Sequence, residues 1–238
     1  MRAMILAAGR GERMRPLTDT TPKPLLVAGG QPLIVWHIRA LVAAGIREIV
    51  INHAWLGDRI EAALGSGAQF GARIRYSAEA AALETAGGIA KALPLLGPQP
   101  FLVVNGDIWC DWDFNAAAVR AAALDGQQRQ AWLLLVPNPP HHPRGDFHLQ
   151  ADRRVTRAAD HRLTFSGVGV YHPSLFARIT PGARMQLAPL IDEAITRAAV
   201  SGDRYDGRWT DVGTPQRLAE LDTWLARRDV SQDDSKIT

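Results

Sequence analysis

The chain has 238 residues, 47% hydrophobic and 21% charged, proportions that exclude whole-chain disorder, collagen and coiled coil. At about 100–200 residues per domain, the length allows one large α/β domain or two small ones. Lys plus Arg number 27 against 24 for Asp plus Glu, a net charge of +3. The basic residues stand in pairs such as Arg153-Arg154 rather than in a stripe, which argues against a nucleic-acid footprint.

A single cysteine, Cys110, excludes an intrachain disulfide, and the seven histidines lack metal-ligand spacing around it. After Arg2 only six uncharged apolar residues precede Gly9, too few for a secretory h-region. No run approaches the ~18 apolar residues of a membrane span, so a cytoplasmic, non-membrane protein is expected.

Apolar runs at 3–7, 48–52, 73–77 and 101–105 predict strands. Helical patterns separate them. Pro32 suits the first turn of a helix with apolar positions Leu33, Trp36, Ala40, Leu41 and Ala44 and a stop at Gly45; 56–64 and 85–95 read similarly. The alternation predicts an α/β fold with a parallel sheet and crossover helices. A helix over 114–125 and a strand over 130–136 follow. Four prolines then make 137–143 a loop. Short strands at 147–150 and 163–171 predict a small antiparallel insertion over one end of the sheet, before helices over 187–199 and after Thr214-Pro215. The polar tail 229–238 is expected to fray.

Four segments carry chemistry. The first strand runs into Leu6-Ala7-Ala8-Gly9-Arg10-Gly11-Glu12-Arg13-Met14-Arg15-Pro16-Leu17, continuing to Pro22-Lys23-Pro24-Leu25. Glycines at a strand's carboxyl end let backbone N–H groups face phosphates, and arginine clamps phosphate oxygens. The dinucleotide fingerprint would need glycine at Met14, and a P-loop would need Gly-Lys-Ser/Thr where Met14-Arg15-Pro16 stand, so neither applies. Asn105-Gly106-Asp107 ends an apolar strand with a carboxylate at the sheet edge; Asn-Gly also suits a hairpin turn, but the residues after it do not alternate as a partner strand. Asp111-Trp112-Asp113 has the D-x-D spacing of glycosyltransferase metal sites, and equally the look of capping aspartates before a helix. In Leu83-Glu84-Thr85-Ala86-Gly87-Gly88, backbone groups beside paired glycines can read a base edge, while Thr85 also suits a helix cap. Glu79, just before it, reads on its own as a solvated loop carboxylate, and Asp211 on its own as a neighbour of a helix cap.

The segment from Leu6 to Leu25 resembles the motif L-A-A-G-x-G-x-R-M-x-P-L-T followed by P-K-P-L of the sugar-1-phosphate nucleotidyltransferases. The resemblance continues at Asn105-Gly106-Asp107 and at Trp209-Thr210-Asp211-Val212-Gly213-Thr214-Pro215, and spans nearly the whole chain. It implies an α/β fold with a doubly wound, mostly parallel sheet, Rossmann-like and of nucleotidyltransferase type, in one domain, residues 1–228, with nucleotide binding mainly in 1–113 and sugar-phosphate binding mainly in 114–228. It implies catalytic contacts from Arg13 and Lys23, and nucleotide contacts from Leu6, Ala8, Gly9, Gly11, Glu79, Thr85 and Gly88. Asn105, Gly145, Asp160, Ser166 and Gly167 fall where relatives contact the sugar phosphate. Asp107 and Asp211 match the two ligands of a magnesium ion. A lysine common in that sugar pocket is replaced here by Asp160-His161-Arg162. The length and the Glu84-Thr85-Ala86-Gly87-Gly88 variant are most similar to N-acetylmuramate 1-phosphate uridylyltransferases, implying UTP and a sugar 1-phosphate as substrates in cell-wall recycling. Mannose-1-phosphate guanylyltransferase, a D-x-D glycosyltransferase and a non-catalytic nucleotide-sugar sensor are the alternatives.

Overall fold

The computed structural model describes residues 1–158 and 160–234, with side chains as far as Arg227. In chain order the strands of the first half are β1 (Arg2–Leu6), β2 (Val27–Ala28), β3 (Gln31–Pro32), β4 (Glu48–His53), β5 (Arg73–Ala78), β6 (Phe101–Asn105) and β7 (Ile108–Cys110). Between them lie α1 (Leu33–Ala43), α2 (Gly57–Leu64) and α3 (Glu84–Leu96). The second half holds α4 (Ala116–Ala122), β8 (Ala131–Val136), β9 (Phe147–Leu149), β10 (Val155–Thr156), β11 (Arg162–Tyr171), α5 (Leu187–Thr196), β12 (Val200–Arg204), β13 (Trp209–Asp211) and α6 (Pro215–Asp234).

The main sheet runs β10-β9-β11-β6-β1-β4-β5, with β8 on β11 and β12 on β8. The pairs among β6, β1, β4 and β5 are parallel, as is β12 with β8; β11 is antiparallel to both β6 and β8. Buried strands alternate their side chains between two faces. Ala3 and Ile5, Leu102 and Val104, and Trp132 and Leu134 pack with Ile34 and Ile38 of α1 and Ile60 of α2. Met4, Phe101, Val103, Leu133 and Leu135 pack on the opposite face with Ile89 of α3 and Ile191 of α5. The sheet is thus sandwiched between helices, which is why its strands read as continuous apolar runs. No helix among the described residues is long and apolar enough to cross a membrane.

Several elements differ from the sequence expectation. The helix expected over 114–125 holds only Ala116–Ala122, followed by a turn in which Asp125 accepts from the backbone N–H groups of Gln127, Gln128 and Arg129. α6 continues to Asp234 and takes in most of the tail expected to fray; residues 235–238 lie outside the described residues. β11 is a full member of the main sheet, joining the antiparallel insertion of β9 and β10 to the parallel core. Trp209–Asp211 was expected as a late strand, but its pairing with β7 carried no sequence signal, because each strand has only three residues.

A third apolar cluster joins Met14 of the glycine-rich segment, Leu33 of α1, Trp109 of β7, Val212 after β13, and Leu221 and Leu225 of α6. It fixes the entry loop, the ribbon and the last helix as one unit. Met14 is fully buried there, so Met14→Ala should cost about 2–5 kcal/mol of stability, and Met14→Leu under about 1.5 kcal/mol. Urea unfolding of the two variants measures this; equal, small losses would show that the cluster does not bear on the fold.

Candidate active site

The site forms where β1, β4 and β6 end side by side. Their register sets Leu6 opposite Asn52 on one side and Asn105 on the other. The Asn52 Oδ1 accepts from the Ala7 N–H at 3.0 Å, and its Nδ2 donates to Glu79 Oε1 at 2.7 Å. The other Glu79 oxygen accepts from the Leu83 N–H at 2.8 Å. Glu79 is therefore a buried brace between the first loop and the entrance to α3, not a solvated carboxylate. Gly88 is required here: a Cβ would lie 2.8 Å from both Asn52 Nδ2 and Glu79 Oε1. Thr85 is not the helix cap either, since α3 begins at Glu84, which has φ of 62° and follows Leu83 at the cap position.

The glycine-rich loop closes on itself. Gly11 has φ of 71°, the left-handed region that glycine enters without penalty. Its carbonyl accepts from the Thr18 hydroxyl, and Lys23 packs against its Cα. The Arg10 guanidinium stacks 3.9 Å from the centre of the Trp55 ring, whose Nε1–H donates to the Thr18 carbonyl. Lys23, flanked by Pro22 and Pro24, is almost fully buried and donates from Nζ to Asp107 Oδ2 at 2.7 Å. Asp107 remains 43% exposed at the side chain.

After Asp107 the chain does not turn back along β6 as a hairpin would. Its continuation, β7, pairs with β13 so that Ile108 faces Asp211, and the Val212 N–H donates to the Asp107 carbonyl at 2.7 Å. The backbones of Asp107 and Asp211, 104 residues apart in the chain, thus lie side by side. Asp211 meets Arg217 NH1 at 2.5 Å and His141 Nε2 at 2.8 Å. Asp111 instead accepts from the Tyr205 hydroxyl, and Asp113 accepts from the backbone and side chain of Asn115. Only Asp113 therefore acts at the start of α4; Asp111 does not cap it.

A cavity of about 580 Å³ opens at this sheet edge. Leu6, Ala8, Gly9, Gly11, Arg13, Lys23, Thr85, Asn105 and Asp107 line it, whereas Asp211 does not. Glu79 and Gly88 lie behind its wall. The remaining residues expected at the sugar phosphate are not among the lining. Gly167, with φ of 84°, packs against the Asn105 side chain. Ser166 is fully buried, its hydroxyl accepting from the Val168 N–H and its carbonyl from Trp209. Gly145 sits against Asn138 and Arg162, and the Asp160 carbonyl accepts from His148.

Sequence reasoning missed Asn52, His37, Arg217 and His141. Asn52 had a readable signal: it is a polar residue closing an apolar strand, as Asn105 is. His37 had none. It is buried in α1, and its Nε2–H donates to the Ile108 carbonyl next to Asp107.

Comparison with known proteins decides the family. A nucleotidyl transferase family profile matches residues 2–227. The chain belongs to the nucleotidyl transferase family. It is 57% identical to an N-acetylmuramate alpha-1-phosphate uridylyltransferase of Neisseria meningitidis serogroup B, over 92% of this chain and 96% of that protein. A protein of the same name from Caulobacter vibrioides is 37% identical over 94% and 96% of the two chains. A mannose-1-phosphate guanyltransferase of Aspergillus fumigatus is 32% identical over 91% of this chain but only 62% of its own length. Among solved structures, HddC from Yersinia pseudotuberculosis superposes with a TM-score of 0.75 at 18% identity, covering 93% of this chain and 98% of that one, and shares the fold.

The buried polar groups behind the cavity set two expectations. Asn52→Ala strands the Ala7 N–H and removes a donor from buried Glu79, so urea unfolding should show a loss of about 1–3 kcal/mol; an unchanged midpoint would refute the brace. Burial lowers the His37 pKa from 6.5 to about 4. The unfolded chain takes up that proton as pH falls below 6.5 and the folded protein does not, so stability drops through this window. Between pH 7.5 and 4 the protein should lose about 3 kcal/mol more than His37→Gln does. Equal losses would contradict a neutral, buried imidazole.

Proposed function

We propose that the chain transfers the uridylyl group of UTP to N-acetylmuramate 1-phosphate, giving the UDP-sugar and pyrophosphate, in the cytoplasmic recycling of cell-wall sugars. One observation carries the mechanism: the Lys23 Nζ held 2.7 Å from Asp107 on the wall of a cavity that also faces the glycine-rich loop and Arg13. The choice of base and sugar is supported by the 57% relative, which matches almost end to end.

In the reaction an oxygen of the sugar phosphate attacks the α-phosphorus of UTP. The new P–O bond forms as the bond to the bridging oxygen breaks, and pyrophosphate leaves with that electron pair. Residues 1–113 mainly hold the nucleotide and residues 114–228 mainly the sugar phosphate. Leu6, Ala8, Gly9 and Gly11 present the loop to the triphosphate, while Thr85 and the backbone near Gly88, braced by Glu79, border the base. Arg13 donates to phosphate oxygens and Lys23 neutralises charge at the reacting centre. Asn105 borders the sugar phosphate from the cavity wall, with Gly167 packed against it, and Gly145, Asp160 and Ser166 shape that side from outside the lining.

Asp107 and Asp211 are the groups that would hold magnesium. Their oxygens are hard donors at one corner, and Asp107 has one oxygen bound to Lys23 and a side chain open to the cavity. Two carboxylates completed by substrate phosphate and water suit that ion. A bound magnesium ion supplies further charge neutralisation on the phosphate oxygens.

Pyrophosphate release should be fastest with UTP and N-acetylmuramate 1-phosphate in a screen of four nucleoside triphosphates against a panel of sugar 1-phosphates. Faster turnover of GTP with mannose 1-phosphate would replace this reading by the guanylyltransferase one. Lys23→Ala and Arg13→Ala should each lower kcat/KM by at least about a hundredfold, because each removes a charge-assisted phosphate contact. Near-normal turnover of either variant would exclude that residue from the reacting centre.

A further inference from the structure

Arg217 is the residue at the site that the proposed chemistry leaves without a role. It lies in the first turn of α6 and its side chain is only 14% exposed. Its NH1 is 2.5 Å from Asp211 Oδ1 and 2.6 Å from His141 Nε2. Its NH2 lies directly over the Cα of Gly213, where any Cβ would collide with it. Gly213 is part of the cavity wall, and a Cβ there would also meet Arg13 NH2 at 3.1 Å. Two guanidinium groups therefore flank one glycine at the edge of the cavity, one of them tied to a carboxylate.

Charge arithmetic at this corner is informative. Asp107 is balanced by Lys23 and Asp211 by Arg217. A divalent cation brought to the remaining oxygens of both carboxylates is opposed by these two side-chain cations, Lys23 on Asp107 Oδ2 and Arg217 on Asp211 Oδ1. A triphosphate and a sugar phosphate bring several negative charges, which need donors of their own. A guanidinium suits phosphate oxygens as well as it suits a carboxylate.

We propose that the Arg217 guanidinium competes with the divalent cation for Asp211 and, when the cation is bound there, donates instead to the substrate phosphates across Gly213. Asp211 is thereby kept oriented and charge-balanced until nucleotide is present, and the cation is taken up with the nucleotide rather than before it. This rests on the reading of Asp211 as a cation ligand, which the same experiment tests separately.

The measurement is Mn²⁺ binding to the metal-free protein, read from the electron paramagnetic resonance signal of unbound Mn²⁺, with and without UTP. Without nucleotide, Arg217→Gln should bind Mn²⁺ roughly tenfold more tightly than wild type, because it removes a competing positive charge at contact distance. Arg217→Lys keeps the charge and should stay near the wild-type affinity. Arg217→Gln should also lose turnover at saturating Mn²⁺, with its thermal melt within a few degrees of wild type. An arginine that merely braces Asp211 gives the opposite sign: Mn²⁺ binding weakens in Arg217→Gln. That result, or an unchanged affinity, overturns the proposal while leaving Asp211 as a ligand, provided Asp211→Asn weakens Mn²⁺ binding in the presence of UTP. If Asp211→Asn binds Mn²⁺ as wild type does, the ligand assignment fails and the proposal with it.

Discussion

Three residues of antiparallel pairing, Ile108–Cys110 against Trp209–Asp211, hold the two halves of the candidate site together. The ribbon is too short to be stable alone. Its surroundings stabilise it: Trp109 and Val212 are buried among Met14, Leu33, Leu221 and Leu225. Trp109 also packs edge-on against Trp36 and Trp224. The Val212 N–H donates to the Asp107 carbonyl, and His37 donates to the next one. Both carbonyls beside the critical carboxylate are thereby fixed, while the carboxylate itself stays open to the cavity.

A second constraint comes from the parallel sheet. Because β1, β4 and β6 run in register, Leu6, Asn52 and Asn105 stand in one row, at the carboxyl edge where open α/β sheets bind ligands. Polar residues there must be paired, since the strands behind them are buried on both faces. Asn52 meets that need with both its oxygen and its nitrogen, and in doing so ties the first loop to Glu79. The same buried bonds that satisfy the strand ends shape the wall of the cavity. Stability and site geometry share residues here.

The parallel core was legible because its strands are continuous apolar runs and its helices carry turn residues at their ends; Phe101–Asn105 was read to the residue. The glycine-rich loop on the cavity wall was legible because glycines free the backbone N–H groups at a strand end and the cations beside them suit an anion. Other features were not. The ribbon's strands are three residues long and its partners lie about a hundred residues apart, beyond any local period. Glu79 looked solvated because burial of a carboxylate depends on a distant partner, Asn52, which local pattern does not reveal. Thr85 looked like a cap because the backbone at Glu84 turns left-handed, a conformation glutamate rarely adopts. The D-x-D triplet had the right spacing, yet Asp111 faces Tyr205 and Asp113 faces Asn115.

In the proposed reaction the ribbon makes Asp107 and Asp211 act on one cation as a unit. A double-mutant cycle on kcat/KM with Asp107→Asn and Asp211→Asn tests it most directly, since asparagine keeps shape and removes charge. Groups that share one ion are strongly non-additive: each single variant should lose at least about a hundredfold, and the double variant should lose little more. Thermal melts of all three should stay near wild type. Losses that multiply in the double variant would show two independent roles and contradict the claim.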